Sequence, residues 1–352
     1  MKKTILILLM LVNQFFAQNL DLFVDSLLMR YNNAPGAAVA IFYNGEIVFS
    51  KGYGKADIEN NISITDSTNF RLASVTKQFT ATAILILQQN GKLKLEDKII
   101  KYFPCLKNYA ADITIKHLLT HTSGLPDYED LIDSKESKQL KDKDVLELLC
   151  KQDSLNFPAG TKYKYSNSGF ALLSLIVEQL SGMSFAEYLN QNIFSKLLMV
   201  NSIAYEKGIS EVKNRAFGYA LIDGEIKFND QSWTSAVLGD GGIYSSVKDM
   251  FKWDQSLYSS LILSEENLSN AFYPHTEAES ENVFYGYGWR IDKYRNMKRV
   301  YHTGSTCGFS NAFVRIPEAK LSVIVLMNQR NQPALLIANS ILEYYFIKIL
   351  KK

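Results

Sequence analysis

The sequence has almost no net charge and no long basic segment. Its 352 residues include 38 lysines and arginines and 36 aspartates and glutamates, which gives a formal charge of +2. Because nucleic acids and anionic membranes attract clustered positive charge, neither is indicated as a partner. Hydrophobic residues make up 47% of the chain. That is enough for a large core and predicts one large globular domain or two coupled ones.

Cysteine and histidine are scarce, with three and four residues. Cys105, Cys150 and Cys307 are single and far apart, and an odd number at such spacing does not indicate a disulfide framework. We interpret all three as structural or incidental. His117 and His121 have the spacing of a zinc pair on a predicted helix, but no glutamate adjoins the first and no acidic third ligand is in view. We therefore assign them to packing and capping and expect no metal site.

Long hydrophobic runs are missing as well. The apolar run 5–12 is too short to span a bilayer. It follows Lys2 and Lys3 and is closed by Phe15-Phe16-Ala17, which is the pattern of a secretory signal peptide. We predict a signal peptide at residues 1–17 with cleavage near Ala17, and an exported bacterial protein, periplasmic or secreted, without a membrane span in its mature form. An uncleaved anchor is the alternative.

The remaining chain, residues 18–352, predicts an α/β (α+β) fold in which an antiparallel β-sheet is flanked by helices and joined by an all-helical lobe. Asn44-Gly45 between two β-type runs indicates a hairpin. Periodicity predicts an α/β layer over about 20–77 and 215–352 and a helical lobe over about 78–214. The mixed-charge stretch from Lys135 to Asp144 is interpreted as a solvated face. The main predicted elements are helices 20–31, 74–89, 115–120, 145–149, 169–180, 185–193, 247–257 and 334–350, and strands 36–42, 46–51, 300–303, 311–316 and 321–327.

One stretch contains a serine that could act as a nucleophile and a lysine that could act as its base. Ser74 and Lys77 are three residues apart at the start of an apolar helix, so their head groups lie on one face and can meet. A serine hydroxyl needs a neighbouring base to react at neutral pH, and a buried lysine amine can be one. The pair lies where the predicted layer meets the helical lobe, and clefts between lobes commonly bind small molecules.

Two further stretches offer the groups that the pair lacks. In Tyr163-Lys164-Tyr165-Ser166-Asn167-Ser168-Gly169, Tyr165 could relay a proton to a leaving group, and Asn167 could hold Lys77 and a substrate amide. The same residues could instead form only a helix cap. In His302-Thr303-Gly304-Ser305, Gly304 would let a substrate backbone approach the strand edge. The N–H groups of Ser74 and Ser305 could then form an oxyanion hole.

These three motifs, in this order, resemble those of the serine β-lactamase and penicillin-binding protein superfamily, nearest its class C branch. The stretches from His117 to Pro126 and from Gly239 to Gly242 are similar to further landmarks of that family. The resemblance implies an acyl-enzyme on Ser74, proton transfer by Lys77 and Tyr165, and substrate contacts from Asn167, His302, Thr303 and Gly304. It also implies an oxyanion hole at Ser74 and Ser305, with no metal or organic cofactor.

One departure from the β-lactamase pattern bears on the substrate. Where many β-lactamases carry lysine in the third motif, this sequence has His302, which is mostly uncharged at neutral pH. The His-Thr-Gly version resembles that of D-amino-acid peptidases and some esterases, so the expected substrate is a D-amino-acid peptide, an ester or a β-lactam. The alternative is a non-catalytic sensor of cell-wall peptides or β-lactams on the same fold. The sequence indicates no oligomeric state, and the stretch from Tyr285 to Arg290 is interpreted as a strand or cleft wall.

Overall fold

The computed structural model describes residues 19–132 and 138–351, so the predicted signal peptide lies outside the described residues. The main sheet has eight strands in the order β10-β11-β12-β13-β14-β15-β1-β2, and all neighbours are antiparallel. The antiparallel α/β fold that the sequence predicts is therefore confirmed. Its strands are β1 (Ala37–Tyr43), β2 (Glu46–Tyr53), β10 (Thr276–Glu277), β11 (Phe284–Tyr285), β12 (Arg290–Tyr294), β13 (Met297–Thr306), β14 (Phe309–Ile316) and β15 (Leu321–Met327).

The first and last strands of the described chain pair with each other inside this sheet. Strand β1 pairs with β15 from Ala37 opposite Met327 to Tyr43 opposite Leu321. The predicted hairpin joins β1 to β2, and Asn44 and Gly45 both have positive φ, as a tight turn between two strands requires. Every residue of β15 is buried, as expected for a strand with neighbours on both sides and both faces covered.

Alternate side chains of the sheet enter two separate cores. One core lies between the sheet and two terminal helices, α1 (residues 19–28) and α10 (Ala334–Tyr344), and contains Val39, Ile41 and Ile341. The other joins the opposite face of the sheet to the helical lobe and contains Ala40 and Phe42. The C-terminal helix thus packs on the sheet, in agreement with the predicted sheet flanked by helices.

Helices dominate the middle of the chain. They are α2 (Lys77–Gln89), α3 (Ile115–Leu119), α4 (Asp142–Cys150), α5 (Asn167–Ser181) and α6 (Phe185–Leu189), followed later by α7 (Leu238–Gly241), α8 (Val247–Ser256) and α9 (Glu265–Ala271). Among the described residues no single helix is long and apolar enough to cross a membrane. One bent pair, Asn167–Ser181 with Phe185–Phe194 at 78°, meets the length and composition only jointly.

The middle of the chain is not wholly helical, contrary to the prediction. Strand β6 (Ile203–Ala204) pairs with β9 (Ile243–Ser245), which also pairs with β5 (Phe70–Arg71). This small sheet holds the segment that leads into Ser74. Two hairpins complete the β structure: β3 (Lys55–Asp57) with β4 (Ile62–Ser63), and β7 (Tyr219–Ile222) with β8 (Glu225–Phe228).

Two of the three cysteines are bonded to each other, although their number and spacing did not indicate a disulfide framework. Cys105 and Cys150 form a disulfide across a separation of 45 residues, with Cα atoms 5.5 Å apart, and Cys307 is free. The bond ties the end of α4 to the turn Pro104–Leu106 within the helical lobe. In the chain-entropy model, closing a loop of this length stabilises the folded state by about 4 kcal/mol. A single unpaired cysteine made the total odd and concealed the pair.

Candidate active site

Ser74 lies in a tight turn rather than within the helix predicted over 74–89. A 3-10 turn spans Ala73–Thr76, and the α-helix proper begins at Lys77. Ala73 has φ +50°, a left-handed conformation that is strained for a residue with a side chain. The turn is held at its start by the Leu72 N–H, which donates to the Ile243 carbonyl at 2.8 Å. Ser74 is thereby presented, half-buried, at the N-terminal end of α2.

Lys77 is fully buried and makes three hydrogen bonds. Its Nζ donates to Ser74 Oγ at 3.1 Å, to Asn167 Oδ1 at 2.8 Å and to the Asp240 carbonyl oxygen at 2.9 Å. The three acceptors surround Nζ and fix its position. The structure therefore brings together Ser74, Lys77 and Asn167, which are far apart in the sequence, and directs the lysine head group at the serine hydroxyl.

The ring of Tyr165 lies beside the Lys77 head group. Lys77 Nζ lies 4.9 Å from the centre of the Tyr165 ring, and the Arg290 guanidinium carbon lies 5.3 Å from it. The Tyr165 hydroxyl is buried and has no hydrogen-bond partner among the described residues. A buried hydroxyl costs free energy when it is unpaired, so this group is placed to bond with something that enters the cleft.

Asp240 and Tyr128 support Lys77 and were not identified from the sequence. The Tyr128 hydroxyl donates to Asp240 Oδ2 at 2.9 Å, while the Asp240 carbonyl accepts from Lys77. Burial raises the pKa of Asp240 to about 6, although the Lys77 charge opposes that shift. Asp240 belongs to the single-turn helix α7, which overlaps the stretch 239–242 noted above. The close contact of α7 with α2 includes a bond from Thr80 Oγ1 to the Gly239 carbonyl at 2.7 Å.

Asp142 anchors α7 and contradicts the prediction that residues 135–144 form a solvated face. Residues 135–137 of that stretch lie outside the described residues, but Asp142 is buried. Its carboxylate accepts from the N–H groups of Leu238 and Gly239, both at 2.9 Å, and from Ser174 Oγ at 2.8 Å. Burial raises the pKa of Asp142 to about 7 despite these bonds.

Two more carboxylates adjoin Asn167. The Asn167 N–H donates to Asp127 Oδ2 at 2.7 Å, and Asn167 Nδ2 donates to Glu129 Oε1 at 3.1 Å. Burial, together with the charges of Asp240 and Asp127, raises the pKa of Glu129 to about 7. The amide of Asn167 is therefore fixed between Glu129 and Lys77, which orients its oxygen towards the lysine.

His302 lies beneath the cleft rather than on its surface. The residue is fully buried, and its Nδ1 lies 2.6 Å from the Thr303 carbonyl oxygen, which can only accept. Nδ1 therefore carries the hydrogen, and Nε2 of the neutral ring accepts from the Tyr285 hydroxyl at 2.9 Å. Burial and the charges of Arg290 and Lys77 hold the pKa of His302 well below its usual range. Both ring nitrogens are thus occupied within the protein.

Gly304 is required by the turn that carries Ser74. A β-carbon at position 304 would lie 2.2 Å from the Leu72 carbonyl oxygen and 3.1 Å from the Ser74 amide nitrogen. Packing therefore gives this glycine a reason of its own, and access for a substrate backbone stays a prediction. The same contact places β13 directly beside Ser74, as the predicted oxyanion hole with Ser305 needs.

The edge of β13 next to the cleft is open. Pairing with β12 ends at Tyr301 opposite Arg290, whereas pairing with β14 continues to Thr306. Among the described strands, none pairs with residues 302–306 on the β12 side. Thr303 is half-buried and Ser305 is exposed, so this edge can accept an extended substrate.

His121 packs the wall of the cleft. It lies after α3 with φ +56°, not on the helix, and its Nδ1 accepts from the Ser166 N–H at 3.1 Å. Its ring lies 4.2 Å from that of Tyr165 and 4.6 Å from that of Tyr285, centre to centre. His117 bonds back to Thr114 at the start of α3. The packing and capping roles predicted for these histidines are confirmed.

Comparison with known proteins identifies relatives over nearly the whole chain. A family model described as Beta-lactamase matches residues 21–344. Penicillin-binding protein 4* of Bacillus subtilis (strain 168) is 30% identical over 300 residues, which are 81% of this chain and 66% of that protein. The chain thus spans slightly less than two thirds of the length of this curated relative.

Solved structures show the same fold. The octameric penicillin-binding protein homologue from Pyrococcus abyssi has a TM-score of 0.84 at 28% identity, over 95% of this chain and 77% of that one. The D-amino acid amidase from Ochrobactrum anthropi SV3, complexed with D-phenylalanine, has a TM-score of 0.81 over 94% of this chain and 99% of its own. At 22% identity the amidase shows likeness of fold alone.

Proposed function

Because this chain belongs to the Beta-lactamase family of serine hydrolases, we propose that it cleaves an ester or amide through an acyl-enzyme on Ser74. The observation that supports this most directly is the bond from Lys77 Nζ to Ser74 Oγ, with the same nitrogen held by Asn167 and the Asp240 carbonyl. These contacts support Ser74 as the nucleophile, Lys77 as its neighbouring base, and Asn167 and Asp240 as the residues that orient the base.

In the first half-reaction Ser74 Oγ attacks the substrate carbonyl carbon, and the hydroxyl proton passes to the Lys77 and Tyr165 pair. The N–H groups of Ser74 and Ser305 stabilise the resulting oxyanion. Collapse of the tetrahedral intermediate breaks the bond to the leaving group, which takes the proton from Tyr165. The unpartnered Tyr165 hydroxyl, with Lys77 and Arg290 beside its ring, supports its assignment as the proton relay.

Water then attacks the acyl carbonyl by the reverse route. It gives its proton to the same pair, and Ser74 recovers a hydroxyl as the acid is released. Thr303 and the open edge of β13 would hold the acyl part of the substrate, and Asn167 would contact its amide. His302 would not touch the substrate but would fix the position of Tyr285 through their hydrogen bond. No metal or organic cofactor takes part in these steps.

We also propose that the protein is exported and that its substrate is a D-amino-acid peptide, an ester or a β-lactam. Export is supported by the signal-like N-terminus and by the Cys105–Cys150 disulfide, since such bonds persist in oxidising compartments. The cleft offers main-chain pairing along β13 and polar groups on the facing lobe, which suits a short peptide or a peptide-like ester.

The test is the intact mass of the protein, followed over time after addition of a fluorophosphonate probe and, separately, a penicillin. We expect one adduct of the probe on the wild type and none on Ser74→Ala. The absence of an adduct with both reagents on folded wild type would refute the proposal. An adduct that forms but never decays, with any acyl donor, would favour the non-catalytic sensor.

A further inference from the structure

Arg290 is the only arginine that the described contacts place against the catalytic tyrosine. It begins β12, is mostly buried, and lies beside both Tyr165 and Tyr285. Its Nη1 is 3.4 Å from His302 Nε2. If Tyr165 passes its proton to the leaving group, as proposed above, the leaving group would lie near this guanidinium. A guanidinium there would attract a carboxylate on the leaving group.

The protein supplies a carboxylate of its own to this arginine. Arg290 Nη2 donates to Glu279 Oε1 at 2.7 Å, and the Tyr163 hydroxyl donates to the same oxygen at 3.0 Å. Glu279 lies on the connection between β10 and β11, and its side chain is 44% exposed against 17% for Arg290. The arginine is therefore held within the site, whereas the glutamate reaches it from the solvent side.

The ionised form of Glu279 is favoured in this arrangement. Burial opposes ionisation, but the bonds from Arg290 and Tyr163 outweigh it and lower the pKa of Glu279 below its usual value. An incoming carboxylate would meet a negative charge already paired with the arginine. It would have to displace Glu279 or lie beside it, and like charges at close range in a partly buried site repel strongly.

We propose that Glu279 is a specificity-determining residue that occupies the anion position of Arg290 and so disfavours substrates whose leaving group carries a carboxylate. This inference depends on the proposed acyl-enzyme function and refines its substrate class. The preferred substrate is an ester or amide with an uncharged leaving group, such as a peptide amide or a neutral ester. Penicillins and peptides cleaved at a free C-terminal residue are poor substrates for the same reason.

The experiment compares two thioesters with one acyl group, one with thioglycolate as leaving group and one with its neutral amide, thioglycolamide. Acylation of Ser74 by each is measured on wild type, Glu279→Gln and Glu281→Gln. The last is the matched control, because Glu281 is an exposed acid on the same connection and its change removes the same charge. We expect Glu279→Gln to raise kcat/KM for the anionic thioester about tenfold or more, with less than a twofold change for the neutral one.

A second comparison tests the role of the arginine. In Glu279→Gln combined with Arg290→Gln, the selective gain should disappear, because no cation remains for the carboxylate. Tyr163→Phe removes one of the two hydrogen bonds to Glu279 and should give a smaller selective increase in kcat/KM for the anionic thioester. This variant replaces Glu279→Gln in the test if Glu279→Gln does not fold. An unchanged rate for the anionic thioester, or equal changes for both thioesters, would overturn the inference.

The fluorophosphonate adduct separates this result from a failure of the proposed function. Each folded variant is first labelled with the probe, which is neutral and reports Ser74 alone. Variants that label normally but show no selective gain refute the role of Glu279. A wild type that labels with neither the probe nor the thioesters refutes the acyl-enzyme itself.

Discussion

Replacing Gly304 by alanine should damage the folded protein before any substrate binds. The new β-carbon would lie 2.2 Å from the Leu72 carbonyl oxygen, so one of the two backbones must move by about 1 Å to restore normal contact. Leu72 is held by its bond to Ile243, and Ala73 already has a strained φ of +50°, so neither can yield freely. Overpacking of this kind costs about 1–3 kcal/mol, and we expect a value near the upper end.

The same displacement should slow catalysis. A shift of about 1 Å in the turn that carries Ser74 would misplace the nucleophile against Lys77 and lower the acylation rate on the order of 100-fold. Stability is measured as the free energy of unfolding in urea, and acylation as the rate of fluorophosphonate labelling. Gly241→Ala is the matched control, because its β-carbon would meet the Cα of Ala73 at an ordinary 3.5 Å. Its stability should stay within about 1 kcal/mol of wild type.

The outcome distinguishes two reasons for the glycine. If Gly304 serves only substrate access, Gly304→Ala will unfold at the wild-type urea concentration and label at the wild-type rate with the small probe, while KM for a peptide substrate rises. That result would refute the packing argument. Loss of both stability and labelling would show that position 304 must be glycine because the turn that carries Ser74 packs directly against it.

Two further predictions concern the buried carboxylates. Asp142→Asn turns an N–H donor towards the Leu238 or Gly239 N–H and should lower the free energy of unfolding by about 2–3 kcal/mol in urea; a neutral result would show that these bonds are dispensable. Glu129, with its pKa raised to about 7, is ionised only above that pH and then holds Asn167 most strongly, so acylation should increase as the pH rises through 7. Glu129→Gln should remove that inflection, and its persistence in the variant would assign the inflection to another group.

Local sequence patterns predicted those structural features that depend on residues close together in the chain. The Ser74 and Lys77 spacing, the Asn44-Gly45 hairpin and the apolar strand β15 each depend on neighbours within a few residues, so periodicity and turn chemistry were sufficient. The polar stretch around Asn167 also predicted a partner for Lys77. That contact is confirmed, although it joins residues that are 90 positions apart.

The supporting residues had no such local signal. Asp142 binds N–H groups 96 and 97 residues away, and Asp240 accepts from a lysine 163 residues away. Asp142 stands in a stretch of alternating charges, and such a pattern cannot distinguish one buried carboxylate from its solvated neighbours. The disulfide was missed for a similar reason, since only the packing of the lobe brings Cys105 and Cys150 together.

The histidine of the third motif shows how packing changes the meaning of a motif residue. His302 alone suggests a weaker substitute for a lysine that binds a substrate carboxylate. In the structure the position is fully buried, with Arg290 only 3.4 Å from its outer nitrogen. A lysine here would be a second desolvated cation against the first, which is costly unless an anion joins them. A neutral histidine that accepts from Tyr285 avoids this cost. The cation next to the third motif is therefore Arg290, and on our proposal Glu279 determines whether a substrate can pair with it.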